Sequence, residues 1–288
     1  MANIILFIKK ILRRLIILVC NKKEGILNFL IDVLSQDYTN VFVNKALHSH
    51  EAILLPPLAE NLHRRNLTDR ERCYLAYAAR ADFHYSQEGE DLVLNRILGE
   101  QEKGYFVDVG AHHPFRFSNT YALYRKGWRG INIDATPGSM AVFRQWRPQD
   151  INIEAAVSDT AQPMAFHMFK ESALNTLNAV VAETFVQAGW ERLEIKDIVP
   201  RPLSDILDEH LPSGTKVDLM NIDVEGGELD VLRSNNWEKY APRYLILEVL
   251  NTPLSESMNA PTIIFLCERG YEPISKLFHS IILRRELS

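Results

Sequence analysis

The sequence predicts a doubly wound α/β domain on a mostly parallel sheet, and three observations predict it. Five short apolar runs, YFVDVG, GINIDA, INIEAAV, VDLMNIDV and YLILEVL, lie between residues 105 and 250, each the length of a strand buried on both faces. Helical stretches alternate with them: SNTYALYRKG, PGSMAVFRQW, SDILDEHL and GELDVLRSNNW. Acids and glycines stand where the runs end, which is where open α/β sheets bind their ligands.

Composition agrees with one substantial core plus an appendage, since 47% of the 288 residues are hydrophobic and 24% charged. Cys20, Cys73 and Cys267 lie far apart and form no CxxC pair, which argues against a disulfide framework or a zinc knot and suits a reducing cytosol. The net charge of −5 hides an uneven distribution. Lys9, Lys10, Arg13, Arg14, Lys22 and Lys23 are all in residues 1–23, which hold no acid, so the body is more acidic than the total indicates. A nucleic-acid substrate would want positive charge beside the active site, not on one terminal arm.

Residues 1–23, MANIILFIKKILRRLIILVCNKK, place two double cations within an apolar stretch. Each cation costs about 2.5–3.5 kcal/mol at the centre of a membrane helix, and the run Leu15 to Cys20 falls far short of the ~20 residues a span needs. Drawn as a helix, Lys10, Arg13, Arg14 and Ile17 share one side and Ile4, Ile8, Ile11, Leu12, Leu15, Ile16 and Val19 gather opposite. The segment reads as a basic amphipathic helix, without the cleavage site of a signal peptide. Two roles are open to it: lying on an anionic membrane, peripheral at the cytoplasmic face, or packing on its own domain or on a second copy in a homodimer. Residues 24–84 read as a helical appendage, with apolar spacings of three and four in GILNFLIDVL and RERCYLAYAARADF.

The core domain spans residues 85–288. Serine stands at an N-cap position before the first and third helices, at Ser118 and Ser204. After the fifth run come the helix APTIIFLCERG and two strand-like runs, YEPISKLF and HSIILRREL, separated by a short turn. Methyltransferases of the Rossmann-like class add such a terminal antiparallel pair to their sheet, and dinucleotide dehydrogenases usually lack it.

Asp108 and Gly110 end the first strand, and Asp134 ends the second, twenty-six residues on, where the dinucleotide pattern places its ribose-binding acid. These acids either face a ligand or cap their own turns. The turn DVGAHHPFRFS has one glycine, not G-x-G-x-x-G, so it is poor pyrophosphate chemistry. It is compatible with S-adenosylmethionine, which carries a ribose, an adenine and a sulfonium but no phosphate.

The blocks YSQEGEDLVL, FVDVGAHHPFRFSNTY, GWRGINIDATPGSM, INIEAAVSD, DLMNIDVEGGELDVL and YLILEV, in this order over roughly residues 85–283, resemble those of FkbM-type methyltransferases. The resemblance implies a class I fold, with a mostly parallel seven-stranded sheet, and S-adenosylmethionine-dependent O-methylation. The usual acceptor is a sugar hydroxyl of a bacterial glycan, glycolipid or natural product. The turn HHPF departs from the family, many of whose members have an Asn-x-Gly turn there. Carried over by residue, the resemblance places Asp108, Gly110 and Ala111 at the methionine end of the cofactor, Asp134 on the ribose, and Ser158 and Asp159 near adenine. Ser118, Asn119 and Thr120 would meet the carboxylate. Gln87 and Glu90 would fold over the cleft, unless SQEGED is simply a helix start capped by Ser86.

The fourth run holds the densest chemistry, NIDVEGGELDVL, where Asp223, Glu225 and Glu228 crowd one strand end. Like charges so close raise at least one pKa unless a cation intervenes. Methyl transfer to a hydroxyl needs the proton removed as the bond forms. His112, His113, Asp223 and Glu248 are the candidate catalytic residues, although either histidine could instead hold the turn. A magnesium or manganese ion bound by Asp223, Glu225 and Glu248 is a further option on ligand type. Phe169, Phe185 and Trp190, in the long segment before the fourth run, are candidates for stacking on a sugar, or for a helix's core stripe. The competing functions are a nicotinamide-dependent oxidoreductase and a non-catalytic membrane adaptor.

Overall fold

A computed structural model describes residues 84–99, 101–249 and 253–286. The amphipathic helix expected at 1–23 lies outside them, as does all but the last residue of the helical appendage at 24–84. Among the described residues no helix is long and apolar enough to cross a membrane.

Helix α1 (Glu90–Leu98) opens the domain and buries Leu94 and Leu98. Ser86 sets its start: the Oγ accepts the Gly89 N–H at 3.1 Å and donates to Asp91 at 2.6 Å. Then follow β1 (Tyr105–Val109), α2 (Tyr121–Lys126), β2 (Arg129–Asp134), α3 (Ser139–Trp146) and β3 (Ile151–Glu154). The long segment after β3 forms a unit of its own: β4 (Met164–Phe169), a 3-10 turn at Ser172–Leu174, α4 (Ala179–Gln187) and β5 (Arg192–Ile198). The alternating pattern then resumes with α5 (Leu203–His210), β6 (Leu219–Ile222), α6 (Glu228–Arg233) and β7 (Tyr244–Glu248). Helices α7 (Leu254–Ser257) and α8 (Pro261–Cys267) lead to the hairpin of β8 (Tyr271–Lys276) and β9 (Ser280–Arg285).

The main sheet has the order β3-β2-β1-β6-β7-β9-β8, with β4 and β5 paired separately. Its first five strands are parallel, and β9 runs antiparallel to both β7 and β8. The order in which the chain adds strands reverses between β1 and β6, so the loops beyond their carboxyl ends part there and leave a crevice.

Alternation along the strands divides the core in two. Val107 and Val109 of β1 pack with Ile131, Ile133, Leu203, Leu207 and Val231 on one face. Phe106 joins Leu94, Leu123, Trp128, Tyr244 and Ile282 on the other. Each such side chain, fully buried, contributes roughly 1.5–3 kcal/mol.

Neither expected serine stands at the N-cap: Thr120 holds that position before α2, and Ser118, two residues earlier, supports the helix start by accepting the Tyr121 N–H at 3.1 Å. Ser204 lies inside α5, which already begins at Leu203, whose N–H donates to the Oγ of Ser234 at 3.0 Å. The cap comes from the end of α6, a partner that no local spacing reveals.

Candidate active site

The turn after β1 is built by backbone contacts to both neighbouring strands. The N–H groups of Gly110 and Ala111 both donate to the Ile133 carbonyl, at 2.9 and 3.0 Å, and the Asp223 N–H donates to Val109 at 3.0 Å. Gly110 has a φ of 80°, and a Cβ there would meet the Asp223 carbonyl oxygen at well under 3.0 Å. The close approach that demands glycine is therefore to the neighbouring strand end.

Beyond this turn lies a cleft of two lobes. One, of about 480 Å3, is lined by Gln87, Asp108, Ala111, Ser118, Asn119, Asn221 and Glu248. The other, of about 580 Å3, is lined by Asp134, Thr136, Ala156, Val157 and Phe166 among others. Gly110, His112, Ala173, Asp223 and Glu225 line both. Among the described residues, no lysine or arginine lines either lobe.

Backbone strain gathers at the same place. Among the described residues, His112, Phe117 and Glu225 are the non-glycine residues with positive φ, at 52°, 57° and 56°, and all three line the cleft. Each costs about 1–3 kcal/mol, held by its surroundings. For Glu225 these are side chains of the insertion: Thr176 Oγ1 donates to its carbonyl at 2.8 Å, and Asn178 Nδ2 donates to the Gly226 carbonyl at 2.9 Å. The insertion is also tied to the first turn, where Arg116 makes a two-pronged ion pair with Glu171 at 2.9 and 2.8 Å.

The floor is a buried polar network. Asp108 accepts from Thr120 Oγ1 at 2.6 Å and from Asn221 Nδ2 at 2.9 Å, and Asn221 accepts in turn from Asn119. Thr120 also accepts from Arg147, whose fully buried guanidinium pairs with Asp150 at 2.8 Å and lies 5.0 to 5.6 Å from the rings of Phe106, Tyr124 and Phe143. Burial pushes the Asp108 carboxyl up, and the Arg147 charge opposes that shift.

Asp223, Glu225 and Glu248 face one another, with carboxylate oxygens within 4.8 Å. Burial, reinforced by neighbouring carboxylates, pushes all three up: Asp223 to about 7 with Glu228 and Asp108 repelling it, Glu225 to about 9 with Asp223 repelling it, and Glu248 well above its ordinary value with Asp223 and Glu225 repelling it. Asp223 and Glu248 share a hydrogen bond, while Glu248 Oε2 is buried with no hydrogen-bond partner. Glu228, the third acid of the motif, turns away to accept the Val224 and Gly226 N–H groups at 3.2 and 3.0 Å. It shapes the turn and leaves the cleft to the other three.

The remaining sequence-derived candidates divide. Asp134 lines the second lobe while accepting the N–H groups of His112 and Thr136, at 2.9 and 2.8 Å, so it both faces the cleft and holds two turns. The His112 ring lines both lobes and is kept neutral chiefly by burial. His113 lines neither; its Nδ1 accepts the Phe115 and Arg116 N–H groups at 3.4 and 3.1 Å, which holds the turn. Glu90 is also outside, accepting from Ser280 Oγ at 2.7 Å and from the Glu88 N–H at 2.9 Å. Thr120 acts from behind Asp108, Ser158 is buried, and Asp159 is exposed. Phe169 and Phe185 pack edge to face at 5.7 Å within the insertion, and Trp190 is half exposed; none of the three lines the cleft.

Sequence reasoning missed Asn221, Arg147, Phe117 and Thr176. Asn221 did leave a signal, being a polar residue inside an apolar run, and such a residue needs a buried partner.

A seven-stranded sheet of this order, with one antiparallel strand next to its far edge and an acidic cleft where the strand order reverses, defines a Rossmann-like class I methyltransferase fold. Residues 108–273 match the family model described as the methyltransferase FkbM domain, and the chain belongs to that family. Solved structures of similar fold include a TehB-like SAM-dependent methyltransferase from Corynebacterium glutamicum. It is 11% identical, with 80% of this chain and 100% of that one covered at a TM-score of 0.36. Another is a precorrin-6Y C5,15-methyltransferase from Geobacter metallireducens, 15% identical, with 68% and 87% covered at a TM-score of 0.35. A search of curated proteins finds no significant match.

Proposed function

We propose that this methyltransferase transfers the methyl group of S-adenosylmethionine to a sugar hydroxyl of a glycan, glycolipid or natural product. The observation that carries the cofactor reading is the acidic lining of the cleft: Asp108, Asp134, Asp223, Glu225 and Glu248 line it, and no lysine or arginine among the described residues does. Such a lining suits a cationic ligand without phosphate and disfavours a nicotinamide dinucleotide, whose pyrophosphate wants cations or a glycine-rich helix start. The sugar acceptor follows the family resemblance.

S-adenosylmethionine, when bound, supplies the methyl group on a sulfonium. Asp108 and the Gly110–Ala111 turn hold its amino-acid end, and Asp134 its ribose. The Asp223, Glu225 and Glu248 carboxylates offset positive charge in the lobe they share. Asp223 takes the proton of the acceptor hydroxyl, since a carboxyl raised to about 7 is matched to a base working near neutral pH. Glu248 holds Asp223 in place through their hydrogen bond. His112 lies across both lobes and orients the acceptor. A divalent ion is the competing occupant of the three carboxylates.

Titration calorimetry with S-adenosylmethionine, its demethylated product and NAD tests the cofactor; tight binding of NAD alone would overturn the reading. Mass spectrometry of glycans from a deletion strain tests the acceptor, through a glycan lighter by one methylene. Residues 1–23 hold the enzyme on anionic bilayers at the cytoplasmic face in this reading. Their deletion is expected to abolish sedimentation with anionic vesicles and to leave cofactor affinity intact.

A further inference from the structure

The insertion between β3 and α5 carries a surface that methyl transfer does not use. Strand β5 pairs with β4 on one side, and among the described residues nothing pairs with its other edge. Its five central residues, Leu193 to Asp197, are all exposed. Of the ten large hydrophobic residues most exposed among the described residues, six belong to this insertion: Val180, Val186, Trp190, Leu193, Ile195 and Val199. Leu193, Ile195 and Val199 are exposed by 62%, 50% and 59%. An open edge beside such a patch invites pairing, and natural edge strands are usually blunted against it.

The sequence of the edge selects its partner. Strand β5 reads Arg192-Leu-Glu-Ile-Lys-Asp-Ile198. Set antiparallel to a second copy about a two-fold axis at Ile195, it places Glu194 opposite Lys196 of the other copy, and does so twice. Ile195 meets its own counterpart, with Leu193 diagonal to it. The neighbouring symmetric registers, centred on Glu194 or on Lys196, bring like charges face to face. Of these three registers, the charge pattern favours the one centred on Ile195.

We propose that β5 pairs antiparallel with β5 of a second copy about Ile195, joining two β4–β5 units into a continuous four-stranded sheet and making the protein a homodimer. The pairing would brace the insertion whose Thr176 and Asn178 hold the Glu225–Gly226 turn. It is independent of the cofactor and the acceptor.

Sedimentation velocity of the full chain and its charge variants tests this. The wild type is expected to be a dimer at micromolar concentration. E194K sets lysine against Lys196, and K196E sets glutamate against Glu194, each at two places per dimer. Cross-strand charge pairs are worth roughly 0.2–1 kcal/mol each, so turning attraction into repulsion at two places should weaken each variant's dimer at least about fourfold. Both positions are exposed, so circular dichroism and melting should show folded proteins. An equimolar mixture of E194K and K196E restores both opposite-charge contacts and should dimerise as the wild type does, as should the double variant. A monomeric wild type, single variants that dimerise undiminished, or a mixture that stays monomeric would overturn the proposal. Undiminished dimers would place the contact elsewhere, for example at residues 1–23.

Discussion

Gly110 packs against the main-chain carbonyl of Asp223 so closely that no Cβ fits between them. This contact joins the ends of β1 and β6 at the floor of the cleft. In G110A the new methyl group must displace the Asp223 carbonyl, and alanine must adopt a left-handed φ as well. Left-handed backbone costs roughly 1–2 kcal/mol and overpacking typically 1–3 kcal/mol. A loss of about 2–5 kcal/mol in urea unfolding is expected, with cofactor affinity reduced at least tenfold. Wild-type values for both would disprove the contact.

Asp223 and His112 make different demands on the rate. D223N should lower kcat by about 10²–10⁴, the usual contribution of a general base, with a smaller change in cofactor affinity. H112N should raise KM for the acceptor more than it lowers kcat. The reverse pattern would transfer the proton-accepting role to the histidine. Chelator treatment should leave activity unchanged, and loss restored by magnesium or manganese would assign the carboxylate cluster to a metal.

The raised carboxyls give a signed pH effect. Asp223 goes from 3.8 to about 7 on folding, and Glu225 from 4.5 to about 9. Across those intervals the native state holds protons that the unfolded chain has lost, so the stability of the ligand-free protein falls as pH rises from about 4 to about 9. A bound cation favours the ionised carboxylates, so binding should release protons and tighten as pH rises through 7. Calorimetry in buffers of different ionisation enthalpy at pH 6.5 should register a release of about one proton. Proton uptake would contradict the arrangement.

Thr176 holds the strained Glu225 from outside the main sheet. T176V keeps the shape and removes the hydrogen bond to the Glu225 carbonyl, a loss of about 1 kcal/mol. Cofactor affinity should fall several-fold. Thr184, whose hydroxyl bonds only within α4, supplies the control, and T184V should bind as the wild type does.

Arg147 is fully buried, paired with Asp150 and bonded to Thr120 behind Asp108. R147A leaves a carboxylate buried without its partner, which typically costs 3–5 kcal/mol. R147A/D150N should recover part of that loss in chemical denaturation. Additive losses in the double variant would refute the pairing.

Much of the fold was legible because buried parallel strands are written as continuous apolar runs, and all five runs form neighbouring strands of the sheet. The antiparallel terminal hairpin was legible from two strand-like runs on either side of a short turn. The unit of β4, α4 and β5 was not. Its β5 is exposed along most of its length and has no apolar alternation tied to a core, so only pairing with β4 makes it a strand.

Residue order by itself determined the alternating architecture, the acids at the strand ends and the lack of a glycine-rich phosphate turn, because these depend on local periodicity and residue type. Tertiary structure decided which acids share a cavity. Glu228 and Glu225 lie three positions apart, yet backbone N–H groups occupy the first and the cleft receives the second. It also decided that Arg147 lies inside and that the insertion grips the Glu225 turn. The last two outcomes depend on hydrogen bonds between residues tens of positions apart, Arg147 with Thr120 and Thr176 with Glu225, and only the folded chain brings such partners within reach.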